Sequence, residues 1–289
     1  MIPIILGSAV AWGTTHTFLW EYFLLTIIAG IFIHIGTNVA NDYFDHKSGN
    51  DEINTEYIRP FSGGSRVIQL GLLTPKEVLR GAFMFLILSG IIGVYLAIVR
   101  GPIILLLGII GVFSGFFYTA PPFNLASRGV GEVFVGLNFG ILMTLGAFYV
   151  QTQTLTWECT LAAVPIALLI AAVLYINQFP DYKADKAVGK KHLVVRLGTE
   201  KAAKVYGGIL IAVYALIVLG VTFSIISPFT LIALITLPLA IKGIRHARAH
   251  HSKPLKLIPA NASTILTHLL VGLLLAVGYI LEGLELLRF

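Results

Sequence analysis

Apolar runs separated by shorter polar bridges set the pattern of the chain. They fall at about 2–13, 19–40, 77–99, 102–119, 130–150, 159–179, 203–223, 226–244 and 262–282. Most approach the ~20 residues that a helix needs to cross a bilayer. The pattern predicts an all-α polytopic membrane protein, one domain spanning 1–289, with nine transmembrane helices. The first run is short for a crossing. It lacks the basic flank of a cleavable signal, so it reads as a partial helix or one that begins before the given start. The run at 226–244 is the weakest of the nine, because Pro228 and Pro238 interrupt it.

Nine crossings would put loops 41–76, 120–129, 180–202 and 242–261 on one side. Of the 20 Lys and Arg residues, all but Arg100 and Arg288 lie on that side or at the adjoining helix ends. A wrong helix count would scramble such a split, so the long polar loops are assigned to the cytoplasm and the protein to the cell membrane. Composition agrees: 57% of the 289 residues are hydrophobic and 12% charged, against about 25% charged in soluble domains. The formal charge of +6 then follows from topology. Membrane lipid is the expected partner and nucleic acid is not. The single cysteine, Cys159, excludes an intramolecular disulfide and reads as a packing residue. Glycine pairs Gly111/Gly115 and Gly136/Gly140 lie at the four-residue spacing that lets helices approach closely.

Two runs end in acid. All five aspartates of the chain lie in two segments, 42–51 and 181–185. Asn38 and Asp42, Asn41 and Asp45, and Asp181 and Asp185 are each four residues apart. If the helices continue through them, each set shares one helix face at the cytoplasmic interface. Converging carboxylates in a poorly hydrated site repel one another. A hard divalent cation removes that cost, and Mg²⁺ takes carboxylates together with substrate phosphates. Lys47, Arg59 and Arg66 lie near the first segment, and Lys183, Lys190, Lys191 and Arg196 near the second. The paired glycines of "PFSGGSR" offer a backbone that wraps an anion. A transporter would use membrane aspartates differently, near the bilayer midplane.

The segments "NDYFDHKSGND" and "DYKADKAVGKKHLVVRLG" resemble the two aspartate-rich motifs of the UbiA superfamily of intramembrane prenyltransferases. The spacing of Asp45 and Asp51, "FSGGSRVIQLGLLTPKEV" at 61–78 and "YTAPPFNLASRGVGEVFVGLNFGILMTLGAFYVQT" at 118–152 are similar to the 1,4-dihydroxy-2-naphthoate branch, which serves menaquinone synthesis. The resemblance implies nine helices around a central cavity open to the cytoplasmic side. It implies Mg²⁺ held by Asn41, Asp42, Asp45, Asp51, Asp181 and Asp185, gripping a prenyl diphosphate whose chain passes to an aromatic acceptor. Lys47, Lys190 and Arg196 are then expected to stabilise the leaving pyrophosphate, with Lys183 and Lys191 binding substrate. Tyr118 is expected to face the allylic cation, and Asn138, Asn177 and Gln178 to border the chamber. Arg66 is the expected grip on an acceptor carboxylate. His34 and His268 are expected to be packing or hydrogen-bonding residues. Homogentisate, 4-hydroxybenzoate, haem or a glycerol lipid are the alternative acceptors of the superfamily. "NQFPD" at 177–181 departs from the branch, because Pro180 removes a helical hydrogen bond just before Asp181.

Overall fold

The structure, a computed structural model, describes residues 1–284, so Arg288 lies outside the described residues. The described residues are helical, with no strand among them. The helices are α1 (Ile2–Thr15), α2 (Trp20–Lys47), α3 (Asn50–Ile53), α4 (Pro75–Arg100), α5 (Ile103–Phe116), α6 (Gly131–Gly136), α7 (Met143–Thr152), α8 (Trp157–Ala187), α9 (Leu193–Leu197), α10 (Thr199–Thr222), α11 (Leu237–His250) and α12 (Ile258–Gly283). A π-helical turn, Leu137–Leu142, joins α6 to α7, and a 3₁₀ segment, Pro228–Thr236, leads into α11. Seven helical segments are long and apolar enough to cross a membrane, and α1 and α5 are shorter apolar helices of 14 residues each. All nine apolar runs of the sequence are therefore helical.

The surface is built for lipid. Along α4, Phe83, Ile87, Ile91 and Ile98 are exposed, the last at 78%. Trp20 and Trp157 are exposed at the first residues of α2 and α8. A soluble protein would bury such a stripe, whereas acyl chains solvate it. The interior is held by close backbone approach. A Cβ on Gly140 would lie 2.3 Å from Ala167 Cα, so the expected Gly136/Gly140 pair does bring this segment against α8. Gly111 of the other pair faces open space instead.

Two of the apolar runs extend further as helix than hydropathy alone predicts. Helix α2 continues from the apolar run through the first acidic segment to Lys47. Helix α8 continues through Pro180 to Ala187 and carries Asp181 and Asp185. Pro180 has no N–H to donate to the Ile176 carbonyl. Asn261 of α12 supplies that donor instead, from its Nδ2 at 3.3 Å, and also donates to Asn177 Oδ1 at 2.8 Å. A neighbouring helix thus re-satisfies the freed carbonyl, which is how proline is tolerated inside a membrane helix.

Candidate active site

Between the ends of α2 and α8 lies a polar mouth of about 610 Å³. The last turns of α2 deliver Asn38, Asn41, Asp42 and Asp45 to it, and α8 delivers Asn177, Gln178, Asp181 and Asp185. Gly49, in a left-handed turn (φ 75°), ends α2 and starts α3, which adds Asn50 and Asp51. All five aspartates therefore line one cavity.

Lys190 joins the two motifs. Its ammonium donates to Asp45 Oδ1 at 2.9 Å and lies 3.2 Å from Asp185 Oδ1. The two carboxylates are thus no farther apart than these two contacts laid end to end. Burial works against the Lys190 charge, but the flanking carboxylates outweigh it and hold its pKa above the usual lysine range. Asp181 accepts from Asn54 Nδ2 at 2.7 Å, and Asp51 from Gln69 Nε2 at 3.1 Å. Asp51 is buried and close to Asp45, and its pKa is pushed up to about 6, first by burial and then by that neighbouring charge. The paired glycines wrap an anion of the protein itself: Gly63 and Gly64 are left-handed, Gly64 lies against Asp42 Oδ1, and the Ser65 N–H donates to that oxygen at 3.3 Å.

The donor set fits a hard cation. Besides the carboxylates, the amide oxygens of Asn41, Asn50 and Asn54 are buried in this cavity wall without a hydrogen-bond partner. Oxygen-only donors suit Mg²⁺. Among the described residues, no three His, Cys, Asp or Glu side chains converge tightly enough to hold an ion by themselves.

The other expected site residues divide. Tyr118, Asn177 and Lys190 are on the cavity wall. Gly131 leaves room for the Tyr118 ring, since a Cβ there would come within 3.2 Å of it. Arg66 is turned away: its guanidinium is buried, donates to the Asp51 and Asn54 carbonyls (the latter at 2.9 Å) and stacks on Tyr57 at 4.1 Å. It anchors the loop that carries Asp51 and is not positioned to grip an acceptor. Lys47 and Lys191 are exposed and off the wall, and Lys183 pairs with Glu56 at 2.7 Å in solvent. Arg196 binds the Lys191 and Arg128 carbonyls at 2.6 Å each, and it too is off the wall. Among the described lysines and arginines, Arg59 joins Lys190 on the wall.

His192 was not expected in the site. It is buried and lies 3.0 Å from Asp185 Oδ2, opposite Lys190. Neither spacing nor hydropathy distinguishes it; the only cue is its place two residues after Lys190. Asn50 and Asn54 repeat the four-residue rhythm of the first motif, and that signal could have found them.

Below the mouth lies an inner chamber of about 280 Å³ that shares Asn38, Asn41, Tyr118, Leu174 and Asn177 with it. The chamber shares Asn138 and Met143 with an apolar groove of about 590 Å³ bordered by α4, α5 and α7. Asn138 sits on the π-helical turn and accepts from Ser114 Oγ at 2.9 Å. Such turns recur at functional sites. The arrangement places an oxygen-lined polar mouth, a mixed chamber and an oily groove in sequence, as an amphiphile with a charged head requires.

The comparisons with known proteins bear on the same reading. A 2-carboxy-1,4-naphthoquinone phytyltransferase of Synechocystis sp. is 29% identical over 98% of this chain and 90% of its own length. A 1,4-dihydroxy-2-naphthoate octaprenyltransferase of Escherichia coli is 31% identical over 96% of this chain and 90% of its own. The structure of a UbiA homolog from Archaeoglobus fulgidus bound to DMAPP and Mg²⁺ superposes with a TM-score of 0.59 at 18% identity, covering 96% of both chains. The UbiA prenyltransferase family matches residues 1–265, and with these relatives along nearly its whole length the chain belongs to that family.

Proposed function

We propose that the protein is a Mg²⁺-dependent membrane prenyltransferase that transfers a prenyl chain from a prenyl diphosphate to 1,4-dihydroxy-2-naphthoate in menaquinone biosynthesis. The observation that carries this is the meeting of both aspartate segments, through Lys190, at a mouth that leads into an apolar groove. The names of the naphthoate-prenylating relatives support the acceptor. The polarised split of Lys and Arg supports nine crossings, a mouth on the cytoplasmic side and a location in the cell membrane. One domain over 1–289 is consistent with the family match.

In this reading Asp42, Asp45, Asp51, Asp181 and Asp185, with Asn41, hold the cations. Bound by these residues, Mg²⁺ would supply Lewis-acid stabilisation of the charge on a diphosphate leaving group. Lys190 and Arg59 turn to the leaving pyrophosphate. The groove removes the prenyl chain from water, so the carbon that ionises lies beside Tyr118, whose ring face stabilises positive charge. The acceptor's electron-rich ring carbon then forms the new carbon–carbon bond, and that carbon regains aromaticity by losing its own substituent, a proton or the carboxyl group as CO₂, while the pyrophosphate leaves with the electron pair of the broken C–O bond. A transporter reading is disfavoured, because the acids gather at one end of their helices with lysine and arginine among them.

The test is a competition assay with purified protein, a prenyl diphosphate and Mg²⁺, offering 1,4-dihydroxy-2-naphthoate beside homogentisate and 4-hydroxybenzoate. The naphthoate is expected to be prenylated preferentially. Preference for either monocyclic acid overturns the acceptor; no pyrophosphate release with any acceptor overturns the enzyme reading.

A further inference from the structure

The inner chamber is more polar than a passage for hydrocarbon needs to be. His34 of α2 and His268 of α12 both line it. Three of the amides around them are already engaged: Asn177 with Asn261, Asn138 with Ser114, and the Asn38 amide group with the His34 carbonyl at 2.7 Å; the unpaired Asn41 oxygen belongs to the donor set of the mouth. The imidazoles are not. His268 Nδ1 is buried and has no hydrogen-bond partner among the described residues. The His34 ring stands edge-on to Phe139 at 5.3 Å, with no hydrogen bond to either nitrogen among those residues. Unpaired buried polar groups are rare in folded proteins and call for an explanation. His268 Nδ1 is one such group, and the half-open His34 ring, also without a hydrogen bond among the described residues, faces the same cavity; together they point to a ligand that brings hydrogen-bonding groups. An isoprenoid chain brings none.

Size and position narrow the class. At about 280 Å³ the chamber is near the ~300 Å³ lower end of small-molecule sites, suiting a compact ring system. Phe139, Val173 and Ile170 give it an apolar lining. It adjoins the mouth at Tyr118, where the prenyl carbon would ionise, so a ring lodged there lies within reach of that carbon. Resting on the naphthoate reading above, we infer that the inner chamber is the acceptor pocket, and that His268 and His34 recognise the ring hydroxyls of a dihydroxy aromatic acid. An imidazole nitrogen serves as donor or acceptor according to its tautomer, so both can meet a phenolic hydroxyl.

The test uses the full chain in detergent, with 1,4-dihydroxy-2-naphthoate, a prenyl diphosphate and Mg²⁺. His268→Leu is expected to raise the naphthoate KM at least about tenfold, a loss of ~1.4 kcal/mol, and to leave the prenyl diphosphate KM unchanged. His268→Gln, which keeps a hydrogen-bonding group, is expected to recover most of that loss. Val173→Phe, which fills the chamber, is expected to give the same split without touching a polar group. An unchanged naphthoate KM in His268→Leu overturns the inference, as does an equal rise for both substrates, the mark of a structural role. If Val173→Phe instead raises only the prenyl diphosphate KM, the chamber houses the first isoprene unit and the inference falls. Should the wild type not prenylate the naphthoate at all, the functional reading fails first and the inference fails with it; a wild type that does so beside an unaffected His268→Leu sinks the inference alone.

Discussion

Replacing Lys190 by methionine keeps most of the side-chain volume and removes the cation that joins the two motifs. The Lys190 side chain is 16% exposed, Asp45 21% and Asp185 6%. Pairs on an open surface are worth ~0–1 kcal/mol, but this one is largely enclosed. Removing one member of a buried pair costs ~3–5 kcal/mol, because it strands the other charge. Two features place Lys190→Met below that range: Asp185 keeps His192 at 3.0 Å, and Asp45 keeps some contact with water. A loss of about 2–3 kcal/mol follows. At ~2–4 °C per kcal/mol for a chain of this order, the apparent Tm should fall by about 5–10 °C. The measurement is thermal unfolding in detergent with EDTA, followed by far-UV circular dichroism. Repeating it with excess MgCl₂ and inorganic pyrophosphate should narrow the gap between variant and wild type, because divalent charge then neutralises the same carboxylates. A fall of under ~1 °C, or a gap that magnesium pyrophosphate leaves unchanged, refutes the view that Lys190 and the cation share one cluster of carboxylates.

Asp45→Ala and Asp181→Ala should each cut turnover more than tenfold, ~1.4 kcal/mol of barrier, while the helical circular dichroism spectrum is kept; activity above about a tenth of wild type would argue against metal ligation. Arg66→Ala frees the loop that carries Asp51 and should raise the KM for the prenyl diphosphate and spare that for the acceptor, and the reverse pattern would return Arg66 to the acceptor site. Asp51 has its pKa raised from 3.8 to about 6 in the fold. Its contribution to ligand-free stability is therefore fully present below about 3.8 and lost as pH rises through about 6. Denaturant or thermal titrations across that window should show this loss in wild type and not in Asp51→Asn, and equal slopes in the two proteins would contradict it.

Hydropathy alone located the seven helical segments long and apolar enough to cross a bilayer, and the shorter apolar helices α1 and α5, because the bilayer demands length and composition that no other pressure imposes. The four-residue spacing from Asn38 to Asp45, and of Asp181 with Asp185, showed which side chains share a helix face, since a helix repeats every 3.6 residues whatever surrounds it. Motif resemblance named the family from these segments. None of this reaches between elements. That Lys190 points inward while Lys191 points out depends on the path of the loop between α8 and α9, and that Lys47 and Lys183 are exposed depends on how the ends of α2 and α8 pack; the charge pattern places all four on one side without ranking them. Arg66 carried the signal of a substrate ligand, a guanidinium in a glycine-rich loop, yet the nearby carbonyls of Asp51 and Asn54 take it first. His34 and His268 are indistinguishable in sequence from packing residues, because each is one polar group in an apolar helix. They become a pair only when α2 and α12, more than two hundred residues apart in the chain, close around the same chamber. Pro180 likewise looks like a helix break until Asn261, 85 residues after Ile176, supplies the missing donor. Local periodicity is encoded in neighbours along the chain, whereas the partner of a buried polar group is decided by which helix packs opposite it.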